Sequence, residues 1–139
     1  MRFEASIDIA APAERVFAVY TDVERWPEWT QSVTSVERFD EGPLRVGSRA
    51  RIRQPRLPMA VWEVTELVPD RSFTWVARGP GFGTTGSHVV TPLDGDRAKA
   101  TASLEQAGLL GPLVGRLTKR LTNAYLDMEV RGLKACCEA

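Results

Sequence analysis

The sequence predicts an α+β fold in which one antiparallel sheet is covered by a long C-terminal helix. Between residues 33 and 106, apolar and polar residues alternate in several short runs, which is the period of half-buried strands. Turn residues separate neighbouring runs, which favours antiparallel hairpins. The last segment, Gly111 to Cys137, has helical spacing and a length of about 39 Å by helical rise, enough to cover such a sheet. We expect residues 1–139 to form a single domain.

Length and charge narrow the classes of function. A chain of 139 residues can bury roughly 68% of its unfolded surface around one core. Its 18 basic and 18 acidic residues balance, so no overall field would attract nucleic acid or an anionic membrane. We expect no nucleic-acid partner, and we expect the protein to be a monomer or a weak homodimer.

Cysteines and terminal residues indicate the compartment. Cys136 and Cys137 are adjacent, and neighbours on one helix point about 100° apart, so a disulfide between them is geometrically poor. This fits a reducing environment. The first 20 residues contain Glu4, Asp8 and Glu14 instead of the apolar block of a signal peptide. No run approaches the roughly 18 apolar residues of a membrane span. We therefore expect a cytoplasmic protein with no membrane span.

A strand and two short helices are predicted first. The strand is marked by alternating apolar residues at Phe3, Ala5, Ile7 and Ile9. Pro12 suits the first position of a helix, and Glu14 suits its positive end. A second short helix would be capped by Thr21 or Asp22 and ended or distorted by Pro27.

Six further strands are predicted before the last helix. The period of two begins at residue 33, and clear runs follow at residues 48–53, 60–67, 72–78, 84–91 and 98–106. Pro69-Asp70 and Asp94-Gly95-Asp96 are turn sequences. One face of the run at residues 48–53 carries Arg49, Arg51 and Arg53. The simplest interpretation is the solvent-exposed face of a strand, and the alternative is an anion-binding surface.

Two apolar rows run along the predicted C-terminal helix. The broader row consists of Leu113, Val114, Leu117, Leu121, Ala124, Tyr125, Met128 and Ala135. A second row occupies only the C-terminal half and consists of Leu126, Val130, Leu133 and Cys137. We expect the broader row to lie on the sheet and to roof a cavity in its first half. We expect the end of the helix to be held between the sheet and the short helices.

Small residues at the expected inward positions of the strands predict a chamber between sheet and helix. These residues are Ala50, Ala77, Ala100 and Ala102. Trp62, Trp75 and Leu104 are expected to face the same space. Small side chains on the concave side of a twisted sheet leave room for a ligand, unless side chains of the helix fill it.

Three stretches carry a family resemblance. Residues 7–33 read IDIAAPAERVFAVYTDVERWPEWTQSV, residues 91–95 read TPLDG, and residues 132–134 read GLK. In these stretches the chain resembles the polyketide cyclase/dehydrase-like family of the SRPBCC superfamily, which includes START-type lipid-transfer domains and the birch-pollen-allergen family. The resemblance covers essentially the whole chain. It implies the helix-grip fold: a seven-stranded antiparallel sheet around a long C-terminal helix, two short helices between strands 1 and 2, and a hydrophobic ligand cavity.

Trp26 and Trp29 enclose Pro27 and Glu28 in the second short helix. Two indoles on a short distorted helix could form a wall at the cavity entrance. They could instead fasten the short helices to the end of the long helix. Glu28 is expected to face water.

His88 is the only histidine, so histidine-based acid–base chemistry would require it. It shares its strand phase with Val90, and an inward phase would point it into the chamber. It could be a hydrogen-bonded residue of the sheet, a polar anchor for a ligand, or a general base. One histidine and two helical cysteines give no zinc constellation, so we predict no metal and no cofactor.

Tyr125 and the glycine-rich residues 79–83 are two further candidates for contact with a ligand. Tyr125 lies at the edge of the broader helix row, where its phenol could bind a ligand carbonyl or its ring could simply pack. Residues 79–83 read GPGFG but lack the Lys-Ser/Thr pair of a phosphate loop, so they indicate a hairpin connection. No nucleophile motif or catalytic triad is present, and we assign no catalytic residue.

These observations favour binding of a small hydrophobic or aromatic molecule, such as a polyketide-, lipid- or isoprenoid-like compound, in the cavity. The expected ligand-binding residues are Trp26, Trp29, Trp62, Trp75, His88, Leu117, Leu121, Tyr125 and Met128. One alternative is an enzyme of the polyketide cyclase, aromatase or dehydratase type, in which His88 or Tyr125 assists proton transfer. A second alternative is a protein-interaction or stress-associated module, which an exposed apolar patch would favour.

Overall fold

The computed structural model describes all 139 residues of the chain. It begins with strand β1 (Arg2–Ile9), helix α1 (Ala13–Thr21) and a 3₁₀ helix (Val23–Glu28). The other strands are β2 (Ser35–Arg38), β3 (Arg49–Arg53), β4 (Ala60–Val68), β5 (Ser72–Gly79), β6 (Phe82–Leu93) and β7 (Arg97–Ala107). Helix α2 (Gly111–Glu138) follows β7.

All seven strands join one sheet in the order β1-β7-β6-β5-β4-β3-β2. Every neighbouring pair is antiparallel. Because β1 and β2 form opposite edges, α1 and the 3₁₀ helix connect the two edges of the sheet. This is the helix-grip arrangement, so the predicted fold class is confirmed, including the two short helices between the first two strands.

Turn chemistry and one bulge shape the sheet. Asp70 has a φ of 61° and Asp96 a φ of 55°, a left-handed conformation that aspartate tolerates better than most residues. Both lie in the predicted turn sequences. The register of β4 and β5 shifts between Val64 and Glu66, and a bulge of this kind bends and twists a strand locally.

The core lies on the concave face of the sheet. Phe73 and Trp75 alternate with outward residues on β5 and are almost fully buried. On β7 the buried residues Ala98, Ala100 and Ala102 present only methyl groups. Helix α2 makes its main sheet contacts with β1 and β7, and the small side chains of β7 allow it to lie close there.

The face of α2 that meets the core differs from our expectation. Its buried residues are Gly111, Gly115, Leu126, Glu129, Val130, Leu133 and Cys137. In contrast, Leu113 is 54% and Leu117 76% exposed. The expectation that the broader row lies on the core was therefore wrong. A Cβ at Gly115 would come within 3.0 Å of Gln106 Oε1 and closer still to Met1, so glycine here lets the helix approach the sheet edge.

The end of α2 is packed against the 3₁₀ helix, as predicted. A Cβ added to Gly132 would lie 1.9 Å from the backbone oxygen of Trp29. No larger residue fits at that position unless the backbone moves. Leu133, which is fully buried, joins the same hydrophobic cluster as Trp26.

Candidate functional site

A partly enclosed cavity of about 50 Å³ lies between the sheet and the second half of α2. Its lining residues are Trp26, Val33, Ile52, Gln54, Trp62, Trp75, Gly86, His88, Ser103, Leu104, Leu126 and Glu129. A volume of this size holds a few water molecules. A cavity therefore lies where Trp62, Trp75 and Leu104 were expected to face. It is small, and its lining includes none of the residues from which a chamber was predicted: Ala50, Ala77, Ala100 and Ala102.

Three indoles form the aromatic wall of the cavity. The ring centroid of Trp75 lies 5.4 Å from that of Trp26 and 5.7 Å from that of Trp62. Opposite them on β6, a Cβ at Gly86 would come within 3.1 Å of the Trp75 ring. The glycine leaves the room that the Trp75 indole occupies, so the wall and the adjacent strand fit closely.

His88 is held in one tautomer at the base of this wall. Its ring stacks on Phe73 at 4.1 Å, and its Nδ1 lies 3.1 Å from the Phe73 carbonyl oxygen. A carbonyl only accepts hydrogen bonds, so Nδ1 carries the proton and Nε2 keeps a lone pair. Burial lowers the pKa of His88 to about 3, although the bond to the Phe73 carbonyl acts in the opposite direction. The imidazole is therefore neutral near pH 7, and Nε2 has no protein partner.

A second polar group faces the cavity from α2. Tyr20 on α1 donates a hydrogen bond of 2.5 Å to Glu129 Oε2, and both side chains are buried. Burial raises the pKa of Glu129 to about 7, and the Tyr20 bond lowers it by a smaller amount. Burial also raises the pKa of Tyr20 well above its usual range, and the nearby Glu129 charge adds to this.

Tyr20, His88 and Glu129 form one polar cluster beside a lining that is otherwise mostly apolar and also includes Gln54 and Ser103. The rings of Tyr20 and His88 meet edge to face with centroids 5.0 Å apart. His88 accepts at Nε2, while Glu129 exchanges a proton near neutral pH. Such a cluster can orient the polar end of a ligand and can move a proton.

Sequence reasoning identified neither Glu129 nor Tyr20 as a residue of the site. One signal was available: Glu129 is three residues after Leu126 and four before Leu133, so it falls within an apolar helical row. A carboxylate in that position must either be paired or change its pKa. The partner, Tyr20, is 109 positions away in the chain, and periodicity does not reveal such a pairing.

The structure brings together four of the nine residues predicted to bind ligand: Trp26, Trp62, Trp75 and His88 all line the cavity. Trp29 is half-buried behind Trp26, with ring centroids 5.6 Å apart, and does not line it. Four residues of α2 also lie outside the lining: Leu117, Leu121, Tyr125 and Met128. That these four residues and Trp29 contact a ligand stays a prediction.

Tyr125 has a different contact from the one expected. Its phenol donates a hydrogen bond to the backbone oxygen of Pro55, in the loop between β3 and β4. Gln54 and Leu126, the sequence neighbours of these two residues, both line the cavity. The contact therefore joins α2 to the β3–β4 loop at the border of the cavity.

The rest of the chain offers no metal site and two free thiols. No group of three His, Cys, Asp or Glu side chains is placed to hold a metal ion. Cys136 and Cys137 are both free thiols, and burial raises the pKa of Cys137 to about 11. No helix combines the length and the apolar character that a membrane crossing requires.

Solved structures of low sequence identity share this fold. A hypothetical protein from Helicobacter pylori has a TM-score of 0.83 at 14% identity, covering 99% of this chain and 88% of that one. A START superfamily protein from Mycobacterium smegmatis has a TM-score of 0.78 at 17% identity, covering 99% and 97%. The Zhui aromatase/cyclase from Streptomyces sp. R1128 has a TM-score of 0.75 at 17% identity, covering 99% and 93%. Identities this low establish a common fold and leave activity open.

Sequence comparison identifies the family. No curated protein matches the chain significantly. The family model described as polyketide cyclase/dehydrase and lipid transport matches residues 1–138. The match covers nearly the whole chain, and it agrees with the helix-grip fold and with the motifs at residues 7–33. The chain belongs to the polyketide cyclase/dehydrase and lipid transport family.

Proposed function

We propose that this protein binds a small apolar or aromatic molecule that carries one hydrogen-bonding group. The observation that carries the proposal is an aromatic cavity whose lining includes three buried polar side chains, His88, Ser103 and Glu129. Such a combination suits a ligand that buries a ring against indoles and places a hydroxyl or carbonyl on the polar cluster. Membership of a family described by lipid transport and polyketide chemistry supports the same class of ligand.

The polar cluster favours particular ligand groups. His88 Nε2 is an acceptor without a protein partner, so it suits a ligand hydroxyl. Glu129, when protonated, can donate a hydrogen bond to a ligand carbonyl. A phenol or a hydroxy-ketone offers these groups, whereas a plain hydrocarbon leaves both side chains without a ligand bond.

The cavity must enlarge for a ligand of several rings. Ligand pockets are typically about 300–1,000 Å³, whereas this cavity is about 50 Å³. The first half of α2 contributes only Gly111 and Gly115 to the buried set. A segment with so little buried side-chain surface opens at lower cost than the second half. Separation of α2 from the β3–β4 loop, beginning in this segment and breaking the contact between Tyr125 and Pro55, would admit a larger molecule.

Apolar contact would supply the affinity. Burying about 200 Å² of apolar ligand surface contributes on the order of 5 kcal/mol before the costs of ordering ligand and protein. A hydrogen bond from a ligand hydroxyl to His88 Nε2 would increase the affinity further. No charged anchor is needed for this class of ligand.

Native mass spectrometry of the protein purified from its source cells tests the proposal. A bound small molecule should appear as a mass increment that denaturation removes. Leu104→Trp, which places an indole in the cavity, should lose the increment, whereas Leu67→Trp, at a half-buried position outside the lining, should retain it. An increment that is equal in both variants would place the ligand elsewhere.

A second candidate function is an enzyme of the cyclase, aromatase or dehydratase type in the same cavity. The observation that favours it is Glu129, whose pKa burial raises to about 7, the useful range for an acid–base group. Its carboxylate could take the α-proton of a β-hydroxy ketone. The resulting acid could then protonate the leaving hydroxyl, so that a C–H and a C–O bond break, a C=C bond forms and water leaves.

The two candidate functions separate at Glu129. A Glu129→Gln variant keeps a polar group of similar size beside Tyr20 but cannot exchange a proton. If the protein is an enzyme of this type, the variant should bind a β-hydroxy ketone and release water about 100-fold more slowly or worse. Equal turnover by the variant, or no turnover by the wild-type protein, would remove this candidate for that substrate.

A further inference from the structure

Helix α2 exposes an apolar face that has no partner in the fold. Leu113, Leu117 and Met128 are 54%, 76% and 40% exposed. Ala124 lies between them on the same side of the helix and is also exposed. Leu109 and Leu110, just before the helix, are 93% and 42% exposed. We call these six residues the outer face of α2.

The β3–β4 loop lies beside this face. The Tyr125 phenol, on α2, binds the backbone oxygen of Pro55 in the loop. The loop continues through half-buried Leu57 to Met59, which is 44% exposed. The outer face of α2 and the tip of this loop therefore present apolar side chains on two elements that meet at the border of the cavity.

The loop and the first part of α2 carry positive charge and no negative charge, and the exposed Asp127 beside Met128 is paired with Arg131. The exposed basic residues are Arg53, Arg56, Arg116, Lys119 and Arg120. No Asp or Glu occurs in residues 53–61 or 106–126. None of the five cations takes part in a salt bridge. The balanced total charge gives no overall field, and it does not reveal this local separation.

Cations and leucines occupy the same side of the helix. Arg116 and Arg120 follow Leu113 by three and seven residues, which places them beside it on the helix surface. A helix of this kind, with leucines flanked by basic residues, suits the boundary between lipid headgroups and acyl chains. Clustered basic residues add attraction to anionic headgroups within about one Debye length, roughly 10 Å.

We propose that the outer face of α2, with the tip of the β3–β4 loop, docks on an anionic membrane surface. A second copy of the chain fits less well, because pairing two outer faces would bring Arg116 and Arg120 of both copies together. A folded protein partner would have to supply separate pockets for leucines that project as far as Leu109 and Leu117, whereas a bilayer adapts to them. The proposal does not depend on which molecule the cavity binds.

Vesicle sedimentation tests the docking surface in the full chain. The wild-type protein should sediment with phosphatidylcholine vesicles that contain phosphatidylglycerol, and should be released by high salt. It should not sediment with phosphatidylcholine alone. In Arg116→Gln/Arg120→Gln, partitioning should fall about fivefold for each cation removed at low salt. The control Arg97→Gln/Lys99→Gln removes two exposed cations of β7 and should bind as the wild type does.

Apolar insertion is tested separately. Leu117→Ser should weaken vesicle binding, whereas Val46→Ser, at an exposed valine of the β2–β3 loop, should not. Both side chains are exposed, so both variants should fold, which circular dichroism can verify. The proposal is overturned if the wild type ignores phosphatidylglycerol vesicles, or if each control loses as much binding as its partner variant. A dimer that Leu117→Ser dissociates, without vesicle binding, would make the face a contact between copies instead.

Discussion

Tyr20 and Glu129 join the first and last helices through a buried hydrogen bond of 2.5 Å. The carboxylate lies in the lining of the cavity, and the phenol lies edge-on to His88. One pair thus contributes to both the packing of α1 on α2 and the polarity of the site. Its protonation state should be visible in the stability of the protein.

Glu129 should make the folded state less stable as pH rises. Its pKa is about 7 when folded, against an ordinary value of 4.5, so the folded state binds the proton more tightly than the unfolded chain. The free energy of unfolding should therefore fall as pH rises from about 4.5 to about 7, by about 3 kcal/mol in all. Glu129→Gln should therefore gain stability relative to the wild type across this window. Urea unfolding at several pH values measures it, and parallel pH profiles would contradict it.

His88 should act with the opposite sign. Its pKa is about 3 when folded, against an ordinary value of 6.5, so the unfolded chain binds the proton more tightly. Stability is fully present above about pH 6.5 and is lost as pH falls toward 3, by about 5 kcal/mol in all. His88→Gln should lack this acid-side loss. Between pH 4.5 and 6.5 the two groups offset one another, so only the single variants separate them. An unchanged acid limb in His88→Gln would contradict the assignment.

Gly132→Ala should destabilise the protein more than Gly115→Ala. At Gly132 the new Cβ would meet the Trp29 backbone oxygen at 1.9 Å, and a backbone contact yields only if the 3₁₀ helix shifts. We expect a loss of about 1–3 kcal/mol from this overpacking. At Gly115 the contacts are longer, 2.8–3.0 Å, and two of the three nearest atoms, Met1 Sδ and Gln106 Oε1, can move away by side-chain rotation. Thermal or urea unfolding of both variants decides the matter, and equal losses would show that the Trp29 contact is not tight.

Tyr125→Phe should speed the entry of ligand. The change removes the bond between α2 and the Pro55 carbonyl, while the ring remains. A net hydrogen bond of about 1 kcal/mol corresponds to an association rate up to about fivefold faster if its rupture precedes entry. Stopped-flow quenching of tryptophan fluorescence by 1-naphthol measures this rate. If the rate does not change, ligand enters by another path.

Prediction from sequence succeeded where local pattern determines structure. Alternation along β5 identified Trp75 as inward, and the aspartates of the turns placed the hairpins. Trp62 was likewise correctly assigned to the inner face, and the inward phase considered for His88 is the one that the structure has. Each of these follows from the period of two and from turn chemistry, both of which are local properties.

Prediction failed for the orientation of α2, because either of its two apolar rows could have faced the core. Both apolar rows of α2 have helical spacing, and the choice between them depends on Gly111 and Gly115, which allow close approach only on one side. Periodicity counts apolar residues, so two glycines did not register as a contact face. Periodicity also failed to identify Glu129 as a site residue. Its role depends on the hydrogen bond from Tyr20, which lies 109 positions away in the chain and comes near only on folding.

We propose that the cavity lined by Trp62, Trp75 and His88 binds a small aromatic molecule. Titration of the wild type, Leu104→Trp and Leu67→Trp with 1-naphthol, a ring that carries one hydroxyl, measures this binding through tryptophan fluorescence. We expect saturable binding with equal Kd in the wild type and Leu67→Trp. In Leu104→Trp we expect a Kd about tenfold higher or more, a loss of at least about 1.4 kcal/mol. Failure of the wild type to saturate, or a Leu104→Trp variant that binds as tightly as Leu67→Trp, would contradict the claim.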